Sequence, residues 1–553
     1  MESWAGILPA HANLKSDSGW LKMPPQIGTG NLAVYIRDCC TEFSGRVAFV
    51  EGDRELSYEA LWLKAGALAG FLRQQCSVNR GDRVAVMLPN IMAFPIAVAG
   101  IVRAGAVQVN INPYYTAHEL KHLLNDSEAD VIITTSLSLP AIRGADVRSI
   151  RSVILVDNLH EEDLLSLPAI WQVADFEDAL GSKFPAPDIV DHLGKEDLAF
   201  LQYTGGTTGL PKGAMLSHGN IMANVRQFQA IWGEEDNVRQ INVLTAIPLY
   251  HIFALTVNMM CMLSLGAKNV LIPNPRDLRE ISALWQRHKI NFVTGVNTLF
   301  KALAAEPSFA ELDFDPKLLA MGGGAPVQEV VSSRWKALTG RHIREGYGLS
   351  ETSPILTCTP FAEERFLGSI GEVVPGTELA IRDENGADVP RGEVGELCAR
   401  GPQVMQGYWR QPAATLQVMT SDGYFRTGDL ARQDENGRYY IVDRQKDMIL
   451  VSGFNVYPNE VEVTVSQLAD VVECACVGVP DQTTGEAVVL FVVGRTQNFD
   501  VQRIRVHCRE NMAAYKVPRH IHMIEEMPKS SVGKILRREL RERLIHGKVM
   551  EES

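Results

Sequence analysis

The sequence predicts an α/β protein: a large N-terminal domain of parallel-rich sheets covered by helices, followed by a small α+β C-terminal domain. Three observations carry this. Short apolar runs alternate with longer helical patterns from Arg46 onward, glycine and charge cluster between Asp422 and Phe454, and a separate set of strands begins beyond that cluster. A chain of 553 residues exceeds what one hydrophobic core serves, so two units are expected, 1–443 and 444–553.

Residues 1 to 45 carry few periodic signals. Val84-Ala85-Val86-Met87-Leu88 then reads as a strand, Ile91 to Arg103 as a helix, Val107-Gln108-Val109 as a strand, His118 to Asn125 as a helix and Val131-Ile132-Ile133-Thr134 as a strand. That β-α-β-α rhythm implies parallel strands with helices on their faces. The runs Leu244 to Leu255, Leu271-Ile272-Pro273 and Asn291 to Val296 continue it, and the ends of such strands are where ligands gather. In the last hundred or so residues Cys474 to Val479 and Val488 to Val493 read as strands of a β-α-β pattern.

Composition narrows the partners. The net charge of −13 argues against nucleic acid. Nine cysteines are scattered without metal-ligand spacing and read as reduced structural thiols of a cytoplasmic protein. Met1-Glu2-Ser3-Trp4 lacks the features of a secretion signal, and no run reaches the roughly 18 apolar residues of a membrane span. His118-Glu119-Leu120-Lys121-His122 matches the zinc-peptidase pattern H-E-x-x-H, which makes a metallopeptidase the rival class. The alternative is an amphipathic helix with Leu120, Leu123 and Leu124 facing the core.

The most informative stretch is Tyr203-Thr204-Gly205-Gly206-Thr207-Thr208-Gly209-Leu210-Pro211-Lys212-Gly213, directly after the apolar run Leu198-Ala199-Phe200-Leu201. Glycines let backbone N–H groups turn towards an anion, the threonines add hydroxyl donors, and Lys212 adds a full charge, a set suited to polyphosphate. It is not a Walker A loop, because Lys212 lies between Pro211 and Gly213. Gly346-Tyr347-Gly348-Leu349-Ser350-Glu351 places an aromatic ring between two bare backbones, fit to lie on a purine, and offers a carboxylate to Mg²⁺. Gly322-Gly323-Gly324-Ala325-Pro326 is a second place where a flat base can approach closely.

These blocks, with Asp422 to Asp429, Asp443-Arg444-Gln445-Lys446-Asp447 and Gly533-Lys534 in the same order, closely resemble the signatures of the adenylate-forming superfamily of acyl-CoA synthetases, luciferases and adenylation domains. The resemblance spans roughly residues 45 to 545. It implies that Thr204, Gly205, Gly206, Thr207, Thr208 and Lys212 hold the phosphates of ATP, that Gly323, Gly324, Ala325, Gly346, Tyr347, Gly348 and Ser350 hold adenine, and that Asp429 and Arg444 hold the ribose. Glu351, with Thr204, would bind Mg²⁺. Lys446 would be the hinge of a mobile C-terminal domain and Lys534 the catalytic lysine.

Pro248 to Leu255, with His251 beside the reacting carboxylate, and Ile449 to Glu460 resemble bacterial long-chain fatty acid:CoA ligases. That branch implies fatty acid, ATP and CoA as partners, peripheral contact with the inner face of the cell membrane, and a homodimer. Tyr250 and Val296 are then expected on the acyl path and Ser452, Gly453 and Phe454 on the CoA path. A physical argument runs the same way: each buried methylene is worth about 0.8 kcal/mol, and Val296, Leu299, Phe300 and Leu303 could line an apolar tunnel. Medium-chain or aryl acid:CoA ligases share every nucleotide motif and stand as the alternative.

Overall fold

The computed structural model describes residues 30–157, 167–187, 192–204, 210–232, 240–495, 500–530 and 533–545. Among these, a seven-stranded sheet runs in the order Gln172–Asp175, Ser152–Leu155, Val131–Thr134, Arg83–Met87, Val107–Asn110, Leu198–Thr204, Lys212–Ser217, parallel throughout except for the last, antiparallel pair. Alternation sets its two faces. Val84 and Val86 point into the main core and Ala85 and Met87 into a second one on the far side, as a two-residue period requires.

A nine-stranded sheet packs across the main core from it. Its parallel centre contains Asn242–Thr245, Phe292–Gly295, Leu319–Gly322 and Ile343–Gly348, with antiparallel edge strands at Arg54–Ser57 and, beyond Ile355–Cys358, at Glu372–Val373. The helices Tyr58–Gln74 and Ala93–Arg103 fill the space between the sheets, the second buried at all but its last position, which explains its almost unbroken apolar sequence.

The run Leu244 to Leu255 is not one strand. Only Asn242–Thr245 is extended; the chain turns at Pro248 to Tyr250, and Ala254–Cys261 is a fully buried π-helix. Phe300 and Leu303 do not line a tunnel either. They are fully buried on the outer face of the nine-stranded sheet, in an aromatic cluster where Trp335 meets Phe300 at 5.0 Å and Trp285 meets Phe309 at 5.0 Å, with Leu299 packed alongside. The helical period turns these residues away from Val296.

His118 and Glu119 also find structural explanations. Thr116 and Glu119 form a reciprocal capping box at the start of the helix Ala117–Ser127, so the glutamate is committed to the helix N-terminus. His118 is exposed, and the His122 ring nitrogen Nε2 lies 3.0 Å from the Pro211 carbonyl. Among the described residues no group of three or more His, Cys, Asp or Glu side chains converges, and no helix is long and apolar enough to cross a membrane.

A four-stranded antiparallel sheet, Glu378–Arg382, Gly395–Arg400, Phe425–Gln433 and Tyr439–Arg444, leads to the C-terminal unit through the 3₁₀ turn Gln445–Asp447. Val471–Asp481 and Gly485–Gly494 there are neighbours in an antiparallel hairpin, not the two strands of a β-α-β unit. The parallel crossover is made one element later, from Gly485–Gly494 through the helix Val501–Asn511 to His520–Met523. A short turn at Thr483 and Thr484, fixed by their N–H bonds to Asp481, permits the hairpin.

The tryptophan cluster should dominate the stability of the large unit. Trp335→Ala is expected to lower the unfolding free energy in urea by about 3–5 kcal/mol.

Candidate active site

Beyond the ends of parallel strands the chain has no further ladder to satisfy, so crevices form there. The ends of Val107–Asn110 and Leu198–Thr204 meet the loops after Asn242–Thr245, Phe292–Gly295 and Leu319–Gly322, and the C-terminal unit closes the remaining side. The result is a cavity of about 1190 Å³. Thr204, Lys212, Tyr250, His251, Val296, Gly323, Gly324, Gly346, Tyr347, Gly348, Ser350, Glu351, Arg444, Lys446 and Lys534 all border it. Gly205, Gly206, Thr207 and Thr208 lie outside the described residues.

Thr204 and Lys212 are cross-strand partners in an antiparallel pair, so the lysine opens a strand, Lys212–Ser217, where a Walker A lysine opens a helix. Lys212 Nζ sits 5.1 Å from the centre of the Tyr408 ring, and the Tyr408 hydroxyl donates to Glu351 Oε1 at 2.8 Å. Glu351 is 8% exposed. Burial raises its carboxyl above the usual range, opposed by the bond from Tyr408. One buried carboxylate beside a lysine is a poor cage for a metal alone. It suits Mg²⁺ that arrives with phosphate oxygens as its other ligands.

Asp429 does not border the cavity but stands behind Tyr347. Its carboxylate, 2% exposed, accepts the Tyr347 hydroxyl at 2.6 Å and Arg444 Nε at 2.6 Å. Asp429 and Arg444 are direct partners in the antiparallel ladder. Gly348 fixes the neighbouring turn: a Cβ there would fall 1.7 Å from the Pro354 carbonyl oxygen, so no other residue fits. Ala325, one residue past the glycine run that borders the cavity, is not on its wall.

Lys534 reaches the cavity from the C-terminal unit. Its side chain is exposed to the open space of the cavity, inside the recess that the two units form around it. Burial holds its ammonium down to about 8, assisted by the positive charge of Arg444 and opposed by Asp429. His251 lies close enough to feel it: burial, then Lys534, push the imidazole down to about 4, so it is neutral at pH 7. Burial also lowers Lys446, with Arg444 adding to the effect. The cavity is therefore a place where cations are held at a cost that an anionic ligand would relieve.

Ser452, Gly453 and Phe454 stand away from this cavity. Ser452 and Gly453, with φ of 51° and 85°, form the two-residue turn of the hairpin Ile449–Val451 and Phe454–Val456, and Phe454 stacks on Tyr515 at 4.9 Å. They belong to the tip of the C-terminal sheet, which points elsewhere when Lys534 points inward.

Tyr408 is the residue that sequence reading passed over. The segment Gln406 to Trp409 adds to the edge of Lys212–Ser217 through Met215 N–H to the Gly407 carbonyl at 2.9 Å and Trp409 N–H to the Gly213 carbonyl at 2.8 Å. That pairing puts Tyr408 under Lys212. No local motif announces it; only the sheet edge brings the two segments together.

A model of AMP-binding enzymes matches residues 36–409 and one of their C-terminal domain matches residues 460–534. The chain belongs to the AMP-binding enzyme family. It is 43% identical over 529 residues to the long-chain-fatty-acid–CoA ligase of Salmonella typhimurium, covering 93% of this chain and 94% of that one. To the long-chain-fatty-acid–CoA ligase of Yersinia pestis it is 41% identical over 557 residues, covering 95% and 97%. Identity to 4-coumarate–CoA ligase 1 of Solanum tuberosum is 30% over 527 residues, covering 93% and 94%. Among solved structures, the anthranilate CoA ligase AuaEII in complex with anthranoyl-AMP superposes with a TM-score of 0.84 at 26% identity, over 94% of this chain and 98% of that one.

The pH dependence of stability carries a signature of His251. Its folded value lies below the ordinary imidazole value of about 6.5, so acidification lets the unfolded chain take up a proton that the folded one refuses. Stability contributed by the neutral ring is full above 6.5 and falls as pH drops towards 4. His251→Asn should make the slope of urea-unfolding free energy against pH shallower in that window.

Proposed function

We propose that this chain is a long-chain fatty acid:CoA ligase that converts ATP, fatty acid and CoA to acyl-CoA, AMP and diphosphate through an acyl-adenylate. The carrying observation is Lys534, on the C-terminal unit, bordering the same cavity as Lys212, Glu351, His251 and Arg444. A carboxylate is a poor electrophile, so a leaving group must be attached first. One oxygen of the fatty carboxylate forms a bond to the α-phosphorus, the bond from that phosphorus to the bridging oxygen breaks, and diphosphate leaves.

The Lys534 ammonium stands where negative charge develops between carboxylate and α-phosphate. Lys212 and Thr204 hold the far phosphates, while Tyr347, backed by Asp429, and Arg444 position adenine and ribose. Neutral His251 adds no competing charge beside the acyl carboxylate. Glu351 and Thr204 would hold Mg²⁺, which when bound neutralises phosphate charge. The apolar end of the cavity, with Ile247, Phe253, Met321 and Ile355, accepts the start of the acyl tail.

In this reading residues 1–443 form the adenylating unit, and residues 444–553 turn about Lys446 after the first step. The turn withdraws Lys534 and brings Ser452, Gly453 and Phe454 towards the path of the CoA thiol. The higher identity to long-chain than to coumarate ligases supports a long-chain acid over an aryl one. An apolar substrate also favours work at the inner face of the membrane, held there peripherally.

AMP release measured with CoA and acids from acetate to oleate should rise with carbon number; no AMP from palmitate would overturn the assignment. Lys534→Ala should cut pyrophosphate exchange by roughly 10²–10³ and leave thioester formation from supplied acyl-adenylate largely intact. The pH profile provides a further check. With its ammonium held down to about 8, Lys534 is charged below that value and loses its proton above it. The kcat/KM for ATP in pyrophosphate exchange, which reports the free enzyme, should therefore decline as pH rises through about 8, well short of the ordinary lysine value of about 10.4. Lys534→Arg should flatten that limb, because a guanidinium keeps its charge.

A further inference from the structure

The helix Asn297–Leu303 faces the C-terminal unit along one side. At Gly533, whose φ is +77°, a Cβ would fall 2.7 Å from Thr298 Oγ1 and 3.3 Å from Val296 Cγ2, so the backbone beside Lys534 rests directly on this helix and the residue before it. Lys301, three positions beyond Thr298 and hence on the same face, donates from Nζ to the carbonyl of Val472 in the C-terminal unit.

The contact is wired to the catalytic loop. Val472 precedes Glu473, whose Oε1 receives Lys529 Nζ at 2.7 Å. Lys529 pairs with Ile535 across the loop, the Ser530 N–H donates to the Lys534 carbonyl at 2.8 Å, and the Gly533 N–H donates to the Ser530 carbonyl at 2.9 Å. One chain of bonds thus runs from Lys301 through the edge of the strand Val471–Asp481 to the hairpin that presents Lys534. Burial at this seam lowers the Lys301 ammonium from its ordinary value, and Glu473 opposes the shift.

We propose that Lys301 is a positioning residue for the adenylation step: it pins the C-terminal unit in the arrangement that inserts Lys534, and it has no part in thioester formation. The inference rests on the two-step reading above. A bond from an ammonium to a backbone carbonyl of the other unit exists only while that strand lies against the helix. It stabilises one arrangement and not the other, which is the condition for shifting a population. Lys301 touches no substrate; it acts through where Lys534 sits.

Lys301→Met keeps the apolar stem and removes the donor. Pyrophosphate exchange, which reports adenylation, is expected to fall about tenfold, the scale of one hydrogen bond from a charged group. Thioester formation from supplied acyl-adenylate and CoA should be unchanged, and Lys301→Arg should restore most of the exchange. The second half-reaction is its own control for folding: equal loss of both, or no loss of exchange, would overturn the proposal. Lys534→Ala run in parallel separates the two levels. If it leaves exchange intact, the functional reading fails; if it abolishes exchange while Lys301→Met does nothing, only the role of Lys301 fails.

Discussion

The carboxylate of Asp429 is the constraint on which the rest depends. Almost wholly buried, it would be costly unless paired, and its partners come from different parts of the protein: Tyr347 from the nine-stranded sheet and Arg444 from the last strand before the C-terminal unit. One anion therefore fixes Tyr347, the four-stranded sheet and the arginine at the end of its last strand. Moving any of the three leaves a buried charge short of a partner.

Around that anchor the cavity is arranged for charge that is not yet there. Burial lowers the affinity of Lys446 and Lys534 for protons, the positive charge of Arg444 adds to the effect on both, and His251 yields by staying neutral. Glu351 is strained in the opposite sense, a carboxylate raised by burial and steadied by Tyr408. A site whose cations are held at such a cost favours an anionic ligand, because folding left their charge uncompensated.

The C-terminal unit contributes through geometry more than through bulk. Its own core, with Val461, Val465, Leu490 and Ile504, is separate from those of the large unit, and it reaches the cavity by a loop. Besides the covalent connection, it meets the large unit through hydrogen bonds such as Asn459 N–H to Asp443 and Lys301 to the Val472 carbonyl, outside that core.

Local chemistry made much of this legible in the amino-acid order. The apolar run Val84 to Leu88 and the apolar helix Ala93–Arg103 were legible within a few residues, because hydrophobic spacing is a property of a segment, and Tyr347 between its glycines does border the cavity. The π-helix at Ala254–Cys261 was hidden, since its apolar residues fit a strand as well as a helix when burial is complete. Whether Phe300 and Leu303 faced a ligand or a tryptophan cluster was equally open, as both surroundings are apolar. The pairing of Tyr408 with Glu351, of Asp429 with Tyr347 and of Lys301 with Val472 was decided only by tertiary structure. Each joins residues far apart in the chain, and no segment carries information about which sheet edge or helix face will be folded against it.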